Sequence, residues 1–196
     1  MKLYVATKNK HKLKEIAQIL EGVEVVSAYD YIDKDMDVEE TGNTFLQNAS
    51  IKAKALSKLI DGYVIADDSG ISVDALEGAP GVYSARFAGV NATDDDNNRK
   101  LLAVMERVPD EARSASYICV IALAVDGIVE RTFGGMCQGA VAREYKGEGG
   151  FGYDVIFLLP DGRHMAELTD DEKNAISHRK MAVQSLKEYL DLKQES

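Results

Sequence analysis

The sequence predicts an α/β protein with a mixed, twisted sheet and flanking helices, and three observations carry that expectation. Short apolar runs alternate with stretches whose apolar residues recur at helical spacing. Two long β-rich runs, "ASYICVIALAV" and "IVERTFGGMCQGAV", are joined by Asp126-Gly127, the strongest short hairpin signal. The 196 residues are 45% hydrophobic and 29% charged, the balance of one globular domain spanning 1–196. Strand–helix units of parallel type interrupted by a hairpin require strands of both directions in one sheet, and two lobes around one cleft are compatible with the length.

Taken in order, "KLYVA" reads as a buried strand, followed by a helix over 10–21 with Leu13, Ile16, Ala17 and Leu20 on one face. "VEVVSA" (23–28) is the second strand. Thr44 to Ile60 forms a longer helix with Phe45, Ala49, Ala53, Leu56 and Ile60 as its apolar stripe. "YVIA" (63–66) returns to strand and stops at Asp67-Asp68, with Ser69-Gly70 supplying a turn. After the Gly/Pro-punctuated "EGAPGVYSARFAG", Thr93 caps a helix carrying Asp94, Asp95 and Asp96 in its first turn, where the helix dipole favours acids. The hairpin follows, then a strand in "YDVIFLLP" closed by Asp161-Gly162. A capping box, Thr169 to Glu172, opens a C-terminal helical region with a start or kink at Ser177 and Val183, Leu186, Tyr189 and Leu190 buried.

Composition excludes several classes. Thirty-three acidic against 23 basic residues give net charge −10, a surface that repels a nucleic-acid backbone, so no nucleic-acid partner is expected. The apolar start of "MKLYVATKNKHKLKEI" is too short for a signal-peptide core, and no run of about eighteen apolar residues occurs; no membrane association and a cytoplasmic location are expected. Cys119 and Cys137 lack C-x-x-C spacing and read as buried thiols without a disulfide.

Five polar clusters remain. "TKNKHK" (Thr7, Lys8, Asn9, Lys10, His11, Lys12) lies at a strand-to-helix junction, where unpaired amides and three lysines suit phosphate, although a solvated helix start is an equally good reading of the segment alone. Glu39 and Glu40 precede the second helix and are ordinary pre-helix charges unless a metal claims them. Asp67 and Asp68 crowd two carboxylates at a strand's C-terminal end, the ligand-binding side of open α/β sheets, or else cap the next turn. "GEGGFGYD" (147–154) offers backbone for close approach and Phe151 as a ring face, and "EKNAISHRK" offers Lys173, His178 and Arg179. Jointly, carboxylates suited to Mg²⁺, a lysine loop suited to phosphates and a glycine–aromatic loop suited to a base point to a nucleoside phosphate.

The blocks "ATKNKHKLKEI", "EETGNTFLQNASIKA", "ADDSGISVDALEGAPGVYSARFAG", "GEGGFGYD" and "KNAISHR", in this order over almost the whole chain, resemble the inosine triphosphate pyrophosphatase family. The resemblance implies an elongated mixed α/β protomer with two lobes flanking a nucleotide cleft, a homodimer, and Mg²⁺-dependent hydrolysis of ITP, dITP and XTP to monophosphate and pyrophosphate. Carried over by position, it implies Glu39 and Asp68 as metal ligands with Glu40 or Asp67 as helpers, and Asp68 as general base. Thr7 to Lys12 and Ser69 would hold the phosphates; Phe151, Gly152, Tyr153, Asp154, Lys173, His178 and Arg179 would form the base pocket, whose donors suit a 6-keto purine. Three positions depart from the family pattern: Lys8 for glycine, Gln47 for glutamate and Val155 for proline. A nucleotide sensor or a Maf-like pyrophosphatase are the other classes that part of this pattern would serve.

Overall fold

A computed structural model describes residues 1–33 and 36–194. Its strands are β1 (Lys2–Val5), β2 (Glu24–Ser27), β3 (Tyr63–Val73), β4 (Ser114–Val125), β5 (Ile128–Val141) and β6 (Phe157–Leu158). Its helices are α1 (Lys10–Ile19), α2 (Phe45–Ser57), α3 (Asp94–Val104), α4 (Asp170–Ile176) and α5 (His178–Gln194). The six strands form one sheet in the order β2-β1-β3-β4-β5-β6. It is mixed, as expected: β1 pairs in parallel with β2 and β3, and β5 pairs antiparallel with β6. Asp126 and Gly127 both take positive φ, the geometry of the tight primed turn that joins β4 to β5.

By packing, the chain resolves into two compact units: residues 1–68, 119–135 and 178–196, and residues 69–118 and 136–177. In the first, Leu3, Val5, Ile65, Cys119, Ile121 and Leu123 pack on Ile16 and Leu20 of α1 and on Val183, Leu186 and Leu190 of α5. A separate cluster sets Val64, Ala66, Ala122 and Ala124 against Ala49, Ala53 and Leu56 of α2. Strand alternation produces this division, since successive side chains leave opposite faces of the sheet. Residues 64 and 66 therefore serve α2, and residue 65 serves α1 and α5. Both cysteines are free and buried.

The second unit has its own core, in which Ile71, Val73, Leu101, Met105, Tyr117, Ile156 and Phe157 meet. Thr93 and Asp96 form the capping box that starts α3. The buried guanidinium of Arg113 donates to the carbonyls of Met105, Val108, Val141 and Ala142, which ties the end of α3 to β5.

Three expectations change. Strand β3 does not end at Ala66: it runs on through the acidic pair to Val73, because Ile71 and Val73 continue the alternation into the second core. Gly70 makes no turn there. A Cβ at that position would lie 2.3 Å from Ser84 Oγ and 2.7 Å from the Gly81 carbonyl oxygen, so the glycine admits the 3-10 segment Gly81–Arg86 against the strand. The strand expected in "YDVIFLLP" shortens to Phe157–Leu158, preceded by a 3-10 turn at Asp154–Ile156, because the Asp154 side chain accepts from Phe151 N–H at 3.0 Å and curls the backbone. The break at Ser177 separates α4 from α5 as expected.

Adjacent glycines of β5 offer a direct check on the first unit's packing. A Cβ at Gly135 would meet the His178 carbonyl oxygen at 2.0 Å and Met181 Cβ at 2.8 Å, whereas one at Gly134 meets nothing closer than 4.0 Å. Gly135→Ala is expected to destabilise by about 2 kcal/mol or more and Gly134→Ala by less than about 0.5 kcal/mol, read as urea midpoints at constant slope.

Candidate active site

Asp67 and Asp68 are neighbours in sequence and face different partners. Being consecutive in β3, they leave opposite faces of the sheet, and both are buried, at 1% and 7% exposure. Asp67 shares the parity of Ile65 and meets α1 and α5. Lys12 Nζ lies 2.9 Å from its Oδ2, and Arg179 Nη2 lies 3.4 Å from the same oxygen. Arg179, 2% exposed, also pairs through Nη1 with Glu15, three residues along α1 from Lys12. Burial works against a charge on Asp67, but Lys12 and then Arg179 outweigh it and hold the carboxyl well below the usual carboxylate range. Burial likewise opposes the charge on Arg179, and Asp67 and Glu15 reverse the sign and raise its pKa. The four groups sum to zero charge.

Asp68 shares the parity of Ala66 and meets the α2 side. Burial, and then the charge of Glu40, push its pKa up to about 6, against the smaller opposing influence of Asn48, Lys12 and Lys52. Glu40 pairs with Lys52. Burial disfavours the charge on Lys52, yet Glu40, Asp67 and Asp68 together raise its pKa. Asn48 Oδ1 accepts from Gly42 N–H at 2.8 Å and so draws the segment bearing Glu40 to the start of α2. A Cβ on Gly42 would come within 2.6 Å of that oxygen. Glu39, expected as a metal ligand, is exposed, and Glu40 is the acid whose charge acts on Asp68. Gln47, where the family pattern has glutamate, accepts from Asn43 N–H at 2.8 Å and serves the helix start.

The lysine loop differs from expectation in its amides. Asn9 caps α1, its Oδ1 accepting from His11 N–H at 2.9 Å and Lys12 N–H at 3.2 Å, while Thr7 Oγ1 accepts from Asn9 N–H at 3.1 Å. Those three amides are committed, and the loop's lysine side chains remain as cations for an anion. Thr7, Lys8, Asn9 and Lys10 line a cavity of about 340 Å³ with Ser27 and Tyr29. Lys8 takes ordinary negative φ, so replacing glycine there introduces no strain, and its ammonium stands 4.9 Å over the Tyr29 ring.

The second unit gathers another expected set. Asp154, 4% exposed, accepts on Oδ2 from Phe151 N–H and from Lys173 Nζ at 2.8 Å, and Lys173 Nζ stands 4.5 Å over the Phe151 ring. Gly152 N–H donates to Asp94 Oδ2 at 2.7 Å and its carbonyl accepts from Asn98 Nδ2 at 2.8 Å, both from α3. Tyr153 OH donates to the Ser84 carbonyl at 2.7 Å. A glycine-rich loop is thereby held from several elements. His178 and Arg179, grouped with this set by sequence, are buried in the first unit, and Ser69 is half-buried directly after Asp68.

Sequence reasoning missed Asn48, Lys52 and Glu15. The signal for the first two was present: they stand four apart on α2, a polar pair beside its apolar stripe. Among the described residues no group of three or more His, Cys, Asp or Glu forms a ready metal cage. Asp68 and Glu40 nevertheless fit a hard divalent ion. The Glu40 charge raises the proton affinity of Asp68, an effect that a cation between them would relieve, and Mg²⁺ takes one or two carboxylates together with waters and substrate oxygens.

Comparison with known proteins gives a consistent result. The Ham1 family model matches residues 3–189. A dITP/XTP pyrophosphatase of Desulforamulus reducens is 48% identical over 97% of this chain and 96% of that protein, and one of Staphylococcus epidermidis is 45% identical over 96% of each. Among solved structures, the Staphylococcus aureus Ham1 protein superposes with a TM-score of 0.89 at 38% identity, covering 98% of this chain and 100% of that one. A HAM1 protein from Coxiella burnetii gives 0.89 at 41% identity over 97% and 98%. The resemblance and the mixed α/β fold read from the motifs are borne out.

The two aspartates should respond oppositely to neutralisation. Asp68, raised from an ordinary 3.8 to about 6, holds its proton more tightly folded than unfolded, so that stability is present below about pH 4 and lost as pH rises through about 6. Asp67 is depressed, so its contribution is present above about pH 4 and lost as pH falls further. At pH 8 in EDTA, Asp68→Asn is expected to raise stability, by at most about 3 kcal/mol, and Asp67→Asn to lower it by about 3 to 5 kcal/mol. Urea unfolding of both variants reads the signs; the Asp68→Asn gain should shrink as pH falls below about 6 and vanish below about pH 3.5.

Proposed function

The chain belongs to the Ham1 family, and from that premise we propose that it hydrolyses the non-canonical purine nucleoside triphosphates ITP, dITP and XTP to the monophosphate and pyrophosphate. One observation carries the reading: beside a permanently ionised Asp67 stands Asp68, whose proton affinity near pH 6 suits a general base at neutral pH.

In this reading Asp68 takes a proton from a water whose oxygen attacks the α-phosphorus, the bond from that phosphorus to the bridging oxygen breaks, and pyrophosphate departs. Lys12 and Lys52 border Asp68 electrostatically and supply positive charge for the phosphates, with Thr7, Lys8, Asn9, Lys10, His11 and Ser69 as further contacts. Asp68 and Glu40 would hold Mg²⁺, which when bound neutralises triphosphate charge. Arg179 acts by fixing Asp67 through its guanidinium, and Asp67 in turn fixes Lys12. On the base side, Phe151 gives a ring to stack on, and Lys173 gives a donor matched to a 6-keto oxygen rather than to the amino group of adenine. We take the working form to be a cytoplasmic homodimer, supported by the resemblance. No helix among the described residues is long and apolar enough to cross a membrane.

The ³¹P NMR spectrum of ITP with the protein and Mg²⁺ is expected to give IMP and pyrophosphate; unchanged ITP would favour a nucleotide sensor. Asp68→Asn should lower kcat by about 10³-fold or more while ITP binding stays measurable by calorimetry. Glu40→Gln should raise the Mg²⁺ concentration for half-maximal rate several-fold, and Glu39→Gln should leave it unchanged. The reverse order would restore Glu39 as the ligand.

A further inference from the structure

Strand β4 carries a residue whose polar atom the apolar core does not need. Tyr117 is buried, and its ring packs on Phe157 with centroids 4.4 Å apart. A phenylalanine would fill that space equally well, whereas a hydroxyl in a core is costly unless it finds partners. It finds two. The Tyr117 hydroxyl donates to Asp154 Oδ1 at 3.0 Å and accepts from Tyr153 N–H. Burial, and then the Asp154 charge, push the phenol's pKa well up, so it remains a donor throughout the working pH range.

The consequence lies in how completely Asp154 is held. Oδ1 takes Tyr117, and Oδ2 takes Phe151 N–H and Lys173 Nζ, so donors from β4, from the loop and from α4 meet on one buried carboxylate. Without the phenol, Oδ1 loses a buried donor and the carboxylate gains freedom about its Cβ–Cγ bond. Lys173 follows, because Asp154 is the anion that holds its ammonium over the Phe151 ring. A lysine so held has one N–H committed and its position set, which lowers the entropy lost when it meets a ligand acceptor.

We propose that Tyr117 is a positioning residue for nucleotide recognition, its hydroxyl orienting Asp154 and, through it, Lys173 at the purine edge. The proposal rests on the base-side reading of Phe151 and Lys173 given above. It assigns specificity to an oxygen supplied by the sheet rather than by the loop that meets the ligand.

Steady-state kinetics with ITP on the full chain tests it. Tyr117→Phe is expected to raise KM about 3- to 10-fold with kcat within two-fold, and in an Asp154→Asn background the same substitution should change KM by less than two-fold, since the oxygen it acts on is already altered. Hydrogen exchange at the Tyr153 amide should quicken in Tyr117→Phe. An unchanged KM overturns the proposal, as does a fall in kcat matching the rise in KM or a loss of folded protein, either of which would make the hydroxyl purely structural. Phe151→Ala separates the levels: a raised KM there with unchanged KM in Tyr117→Phe removes only Tyr117, and unchanged KM in both removes the base-side reading as well.

Discussion

Burying the charge of Asp67 is the constraint on which the first unit is organised. A carboxylate with almost no access to water costs several kcal/mol unless cations reach it. Lys12 arrives from α1 and Arg179 from α5, and Glu15 balances the surplus. Segments more than a hundred residues apart in the chain must therefore lie in one arrangement for any of these charges to be tolerable. The apolar contacts of Ile16, Leu20, Val183 and Leu186 supply cohesion, and the ionic cluster selects which way α1 and α5 face. The cluster is neutral as a whole and stands apart from the groups that face α2, although its Lys12 also acts on Asp68.

That separation explains how one strand serves a permanent anion and a titrating one side by side. The sheet lies between them. Asp67 is matched by adjacent cations, while Asp68 sits by Glu40 with Lys12 and Lys52 exerting weaker effects. The Asn48–Gly42 hydrogen bond holds the segment that carries Glu40 at the start of α2, and the Glu40 charge adds to burial in raising Asp68. The second unit uses the same economy around Asp154, where one carboxylate organises an aromatic ring, an ammonium and a turn.

Much of this was legible in the chain. The apolar spacing of Leu13, Ile16 and Leu20, the Thr93 capping box and the Asp126-Gly127 turn each follow from local rules, and the structure has all three. What escaped were places where tertiary partners overrule local preference. Asp-Asp-Ser-Gly has turn chemistry, yet buried cations and the apolar residues beyond it keep β3 extended. Glu39 and Glu40 have indistinguishable local settings, and only the fold decides which one turns toward Lys52. Lys173 and Arg179 look like members of one basic cluster, but the break at Ser177 sends them to different units. Tyr117 looks like any residue of a β-rich run, since nothing in "ASYICVIALAV" announces that Asp154 lies opposite its hydroxyl.

The two thiols have a practical use that follows from their burial. Desolvation and the nearby Asp67 charge push Cys119 up to about 12, and Cys137 is also raised, first by burial, so neither presents a thiolate to an electrophile in the native state. Cys119 belongs to the first unit and Cys137 to the second. Alkylation by a mass-tagged reagent thus waits for local opening, and digestion afterwards assigns each tag to its peptide. The chain thus contains a clock in each unit, Cys119 for the opening of the first and Cys137 for that of the second.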